Sequence, residues 1–186
     1  MTDKEIVNLV QSGDRMAYVH LVERHQRLVW YMISKLIHDK SDVEELAQDV
    51  FLKIFDKIEA FKFESKLSTW IATIAYRTAM NFAQKKKIPI DEGFDIDRLN
   101  NYIVDYKSPD KLTEKAEIKA LVLEMVEQLP QQYQLVLSLF HLQEMSYPEI
   151  AEITGMPIGT VKNYLFRARK LLKDGFGELL KETIWD

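Results

Sequence analysis

Apolar residues return every three or four positions along almost the whole chain, and no stretch alternates apolar and polar residues between hairpin signals, so the sequence predicts an all-α fold. The spacing predicts helices over 3–11, 14–38, 42–58, 67–86, 110–128, 131–143, 147–154 and 158–174. Three starts carry the S/T-x-x-E spacing, in which two side chains satisfy otherwise unpaired backbone donors: Thr2 with Glu5, Ser41 with Glu44, and Ser146 with Glu149. The pattern breaks once, from Ile88 to Asp110, where two prolines, a glycine and an excess of acid read as a linker. Ser108 as N-cap and Pro109 at the first helical position then restart a helix. Two helical domains are expected, 1–87 and 111–186, joined by the acidic segment 88–110.

With 186 residues, 47% of them hydrophobic, the chain has enough apolar surface for one moderate core or two small ones. Its apolar runs are short and interrupted by charges, and the acidic start MTDKEIVNLV lacks a signal-peptide core, so a cytoplasmic protein without membrane insertion is expected. The absence of cysteine excludes disulfides and thiolate zinc sites, and His20, His25, His38 and His141 have no metal-ligand spacing. His38-Asp39 suggests a metal-dependent phosphohydrolase, but His141 is the sole histidine beyond it, too few for the ligand set. There is no glycine-rich phosphate loop or nucleophile elbow, so neither an enzyme nor a cofactor is expected.

A net charge of −4 argues against nucleic acid until its distribution is considered. In SYPEIAEITGMPIGTVKNYLFRARKLLK, no acid occurs from Thr154 to Lys173, while Lys162, Arg167, Arg169, Lys170 and Lys173 all do. YPEIAEIT forms a short helix, Gly155 supplies a left-handed residue and Pro157 helps begin the next helix, which is helix-turn-helix spacing. Val161, Leu165, Ala168 and Leu172 then face the core beside Ile150 and Ile153. The opposite face holds Thr160, Asn163, Arg167 and Lys170, flanked by Lys162 and Arg169, which suits base edges and phosphates. Any amphipathic surface helix can carry a basic stripe; the preceding turn is what favours DNA.

Two segments of the first domain narrow this. SDVEELAQDVFLKIFDKI buries Val43, Leu46, Val50, Ile54 and Ile58 and turns Asp42, Glu45 and Asp49 to another face, which could be merely solvated. FKFESKLSTWIATIAYRTAMNFAQKKK begins as a polar loop with aromatics and ends in three lysines, and rings beside cations suit single-stranded nucleic acid. Phe61 and Phe63, separated by one residue, cannot both point inward from an extended loop. Trp70 reads either as core or as a brace for that loop.

Together with LVLEMVEQLPQQYQLVLSLFHLQEMSYPEIAEITGMPIGTVKNYLFRARKLLK, these segments resemble the extracytoplasmic-function (ECF) group of bacterial RNA polymerase sigma factors, from about Ala17 to Lys173. The resemblance implies a subunit that does no bond chemistry and directs initiation at promoter DNA. It implies that Asp42, Glu45 and Asp49 dock on the coiled coil of the largest subunit of core RNA polymerase. Phe61, Phe63, Lys66, Trp70, Arg77 and Asn81 would recognise and melt the minus-10 element, and Thr160, Lys162, Asn163, Arg167, Arg169 and Lys170 would read the minus-35 element. An anti-sigma factor is implied as a further partner. Where many members read I-A-R-N-x-x-x-D, this chain has Ile74, Ala75, Tyr76, Arg77 and, at the last position, Asn81. The class alternatives are a free-standing helix-turn-helix repressor, which would bind operator duplex without polymerase, and a helical adaptor.

Overall fold

A computed structural model describes residues 1–88 and 123–185, with side chains to residue 175 in the second stretch. Most of the linker expected at 88–110 and the restart at Ser108 and Pro109 lie outside the described residues. Among those described, regular structure is helical throughout: α1 (Asp3–Gln11), α2 (Arg15–Ser34), α3 (Lys40–Lys57), a 3-10 turn (Ile58–Ala60), α4 (Leu67–Lys86), α5 (123–128), α6 (Gln131–His141), α7 (Tyr147–Thr154) and α8 (Ile158–Trp185). Chain contacts divide them into two compact units, one of residues 1–88 with Pro148–Met156, the other of 123–147 with 157–185.

In the first unit α2 lies against α1, α3 and α4, and α3 also meets α4. The buried face of α2, from Ala17 through Leu21, His25, Leu28, Val29, Met32 and Ile33, follows the helical repeat. Removing a side chain such as Leu21 or Ile33 from water is worth about 1.5 to 3 kcal/mol. On α4, Thr69, Ile71, Ala72, Ala75, Ala79 and Ala83 are all fully buried, and alanine there lets neighbouring backbones approach closely. Gln11 ties the 3-10 turn to α1 by donating from Nε2 to the carbonyls of Ile58 (2.8 Å) and Phe61 (3.3 Å).

The helix starts differ instructively. Thr2 and Glu5 form the expected reciprocal box, at 2.7 and 3.3 Å. Ser41 does not cap α3: Asp39 does, accepting from the Asp42 N–H at 3.0 Å, and Ser41 falls inside the first turn. Aspartate and serine are comparable caps, and the earlier of the two begins the helix. α2 stops at Ser34, four residues sooner than expected, because Leu36 and Ile37 turn into the core ahead of that cap. α4 ends at Lys87 with φ 54°, in the left-handed region, where the Ile88 N–H reaches the Ala83 carbonyl at 2.9 Å.

In the second unit, Pro130 starts α6 by offering its carbonyl to the N–H groups of Tyr133 and Gln134, at 2.8 and 3.0 Å. Met125, Leu129, Leu135, Val136 and Leu139 of this unit are buried, as are Val161, Leu165 and Ala168 of α8. α6 packs along α8, with Tyr133 and Tyr164 in ring contact at 4.8 Å. α8 extends to Trp185, eleven residues past the expected end at 174, since nothing there breaks a helix strongly enough.

Candidate nucleic-acid interface

The segment between the 3-10 turn and α4 separates its two phenylalanines. Phe61 is buried at 7% exposure and meets Trp70 and Phe63 in tilted ring contacts, each with centroids 5.0 Å apart. The structure therefore places it in the core of this unit. Phe63 is 40% exposed and has φ 59°, a conformation that costs a residue bearing a Cβ about 1 to 2 kcal/mol. That backbone turn sets the Phe63 ring on Phe61 and leaves its remaining surface open. Trp70 is half-buried, and Arg77 and Asn81 lie exposed at seven and eleven residues beyond it, on one face of α4.

Lys66 occupies the N-cap position of α4 without a side-chain cap bond. Its Nζ lies 3.0 Å from Glu149 Oε1, an oxygen that also accepts from the Thr69 hydroxyl at 3.1 Å. A carboxylate at that point complements the positive end of α4. At the other end, Lys86 holds both oxygens of Asp42, at 2.8 and 2.9 Å, with its ammonium 4.6 Å from the Phe82 ring.

Asp42 is thereby engaged within its own unit, whereas Glu45 and Asp49 stand exposed on α3. Sequence reasoning missed the larger feature beside them. Tyr18, Trp30, Phe51, Leu52 and Phe55 line an apolar groove of roughly 830 Å³ between α2 and α3, with Leu52 64% and Phe55 55% exposed. The Tyr18 hydroxyl donates to the Phe51 carbonyl, and burial together with Asp56 pushes its pKa up to about 12. The signal was present as a second stripe, Gln48, Phe51, Leu52 and Phe55, offset from the buried one.

On α8 the core face is Val161, Leu165 and Ala168, and Asn163, Arg167 and Lys170 are exposed opposite, with Thr160 partly so. Phe166, unnoticed in the sequence, is 68% exposed among these cations. Lys162 and Arg169, seven residues apart on one flank, meet a ring stack. Lys162 Nζ is 5.8 Å from the Tyr147 ring, Tyr147 stacks on Phe140 at 5.1 Å, and the Arg169 guanidinium is 5.0 Å from Phe140. Arg169 also donates to His141 Nε2 from Nε at 3.2 Å, with Nη2 at 3.1 Å from the same atom. Burial and the neighbouring Arg169 charge lower the His141 pKa and favour its neutral, accepting form. Gly155 has φ 74°, as the turn before this helix requires. Among the described residues no cluster of metal-ligating side chains occurs, and no helix is long and apolar enough to cross a membrane.

Known proteins match this chain in both halves. The family profile of Sigma-70 region 2 matches residues 21–88, and that of Sigma-70 region 4 matches residues 119–172. The ECF RNA polymerase sigma-E factor of Haemophilus influenzae is 31% identical over 186 residues, covering 97% of this chain and 98% of that protein. The RNA polymerase sigma-H factor of Pseudomonas aeruginosa and the ECF RNA polymerase sigma-E factor of Escherichia coli K12 are each 30% identical over 187 residues and cover 97% of both chains. Among solved structures, CnrH in complex with the cytosolic domain of CnrY aligns with a TM-score of 0.61 over 95% of this chain and 97% of that one. The sigma factor RpoE of Bartonella quintana, in complex with the anti-sigma factor NepR, aligns with a TM-score of 0.56 over 86% and 96%. Both are 19% identical, a likeness of fold. End-to-end identity to named sigma factors, with both region profiles in order on an all-helical chain, leads to one conclusion: this protein belongs to the ECF group of RNA polymerase sigma factors, the factors of transcription initiation.

Proposed function

We propose that the chain acts in three functional parts, residues 1–87, 88–110 and 111–186, which let one initiation subunit hold two promoter elements at once. The single observation that carries the reading is the outward face of α8, where Asn163, Arg167 and Lys170 are exposed with no acid between Thr154 and Lys173. Asn163 and Arg167 present bidentate groups to base edges in the minus-35 major groove, Thr160 adds a hydroxyl, and Lys162, Arg169 and Lys170 meet phosphates. Phe166 supplies an apolar surface for a thymine methyl.

The minus-10 work falls to Phe63 in the segment before α4 and to Arg77 and Asn81 on the helix itself, with Phe61 and Trp70 bracing from beneath and Lys66 at the helix start. A base that leaves the duplex stacks on the open face of Phe63, so the protein binds the melted state more strongly and shifts the closed-to-open equilibrium. The coiled coil of the largest subunit of core polymerase docks on α3 through Glu45 and Asp49 and in the adjacent apolar groove. Asp42 contributes by fixing α3 to α4. The bond chemistry of transcription is left to polymerase. Location in the cytoplasm follows from that partner, and an anti-sigma factor is the expected regulator, as the NepR complex of the Bartonella quintana relative supports.

The test is footprinting and run-off transcription on a promoter mapped by transcript starts after overexpression, with and without core enzyme. Protection of minus-35 and minus-10 DNA that needs both proteins is expected, and it is lost on the minus-35 side in Asn163→Ala and Arg167→Ala. A sharp footprint from the chain alone would instead indicate a free-standing repressor.

A further inference from the structure

We propose that His141 is a positioning residue for promoter recognition: it orients the Arg169 guanidinium for a DNA phosphate while touching no DNA itself. The inference rests on the reading of α8 as the minus-35 helix. A guanidinium has five N–H donors in a rigid fork. On Arg169, Nε and Nη2 both lie within 3.2 Å of one lone pair, that of His141 Nε2, which fixes one edge of the fork. The donors not committed there, including both on Nη1, remain for an anionic oxygen. The Phe140 ring, 5.0 Å from the guanidinium carbon, holds the flat face, and the Tyr147 ring backs Phe140 at 5.1 Å with only 22° between their planes. An arginine so held on an edge and a face loses less side-chain freedom when it meets a phosphate.

His141 is suited to this task because it offers an acceptor without a negative charge. An aspartate or glutamate at this point would bind Arg169 more tightly, but would also cancel its charge and repel the DNA backbone. Neutral imidazole holds the fork and leaves the full positive charge for the phosphate. It is the last residue of α6, on a helix packed along α8, so its place is fixed by the core of the unit and not by a loop. His141 and Arg169 are both exposed, so their substitution leaves that core intact.

The experiment uses the complete chain with core polymerase and a fluorescent duplex carrying a promoter that this holoenzyme transcribes, titrated at several salt concentrations. Arg169→Ala should weaken binding and reduce the slope of log affinity against log salt by about one, the signature of one lost phosphate contact. His141→Ala should weaken binding about two- to five-fold, the scale of one orienting hydrogen bond, with the salt slope unchanged because no charge is lost. His141→Gln, whose amide oxygen also accepts, should restore most of the affinity. In the Arg169→Ala background, His141→Ala should have no further effect. An equal loss in both backgrounds, or wild-type affinity in His141→Ala, overturns the proposal. Wild-type affinity and slope in Arg169→Ala overturn it as well, by removing its target. Failure of the underlying reading has a different signature: Asn163→Ala and Arg167→Ala would then bind like the wild type.

Discussion

Phe61 and Phe63 are two residues apart, yet their environments demand opposite responses to substitution. Phe61→Ala should cost about 3 to 5 kcal/mol of folding stability, because a buried ring leaves a cavity between Trp70 and the core. Phe63→Gly should leave stability unchanged or raise it by up to about 1 kcal/mol, since glycine relieves the left-handed strain. It should nevertheless slow open-complex formation, and a premelted minus-10 bubble should restore the rate; denaturant melts beside stopped-flow promoter opening would measure both. The sequence stated that one of the two must point outward, but which one depends on Gln11 fixing the turn from a helix fifty residues away. His25 gives a second residue-scale prediction. It is buried at 6% exposure, its Nε2 has no partner among the described residues, and burial lowers its pKa from 6.5. The unfolded chain then binds the extra proton, so the contribution of His25 to stability is fully present above about pH 6.5 and is lost as pH falls toward the lowered value. Melting temperatures from pH 8 to 5 should fall on the acid side, and the drop should be smaller in His25→Leu.

At the scale of elements, α3 has three faces. Its buried face was legible from the spacing of Val43, Leu46, Val50 and Ile54, as were the bounds of α1, α4 and α7. The groove was not, because Phe51, Leu52 and Phe55 lie off the buried stripe of α3, and their forming one wall of a groove depends on where α2 lies. The ring stack on the flank of α8 was hidden for a similar reason: Phe140 and Tyr147 come from outside the helix whose cations they meet. These faces make separable predictions for docking. Leu52→Glu and Phe55→Glu should abolish assembly with core polymerase in a pull-down while leaving the thermal melt near wild type, since both side chains are more than half exposed. Asp42→Asn should lose at most about 1 kcal/mol of stability with its Lys86 pair, as expected for a partly solvated ion pair, and should retain assembly. If Leu52→Glu assembles normally and Glu45→Lys with Asp49→Lys does not, docking is carried by charge alone.

For the whole molecule, the net charge of −4 and the basic stripe of α8 act against each other. Acid elsewhere opposes the approach of DNA, and a handful of cations gives weak binding that falls steeply with salt. The isolated chain should therefore bind promoter duplex weakly near physiological salt in a gel shift, and firmly once core enzyme contributes its own contacts. Linked recognition of two elements multiplies modest affinities without new contacts, provided the intervening chain spans them. The alanine-lined burial of α4 has a further consequence for where the work of opening DNA is done. A helix packed down to Thr69, Ala72, Ala75, Ala79 and Ala83 is expected to keep its form when bases arrive. Base capture on such a surface, as proposed, should resemble a stamp meeting wax: the deformation, and the heat capacity that accompanies it, should belong to the nucleic acid. Calorimetry of this holoenzyme on duplex and on premelted promoters should then place the difference in heat capacity with base unstacking, with no added component from folding of the α4 region.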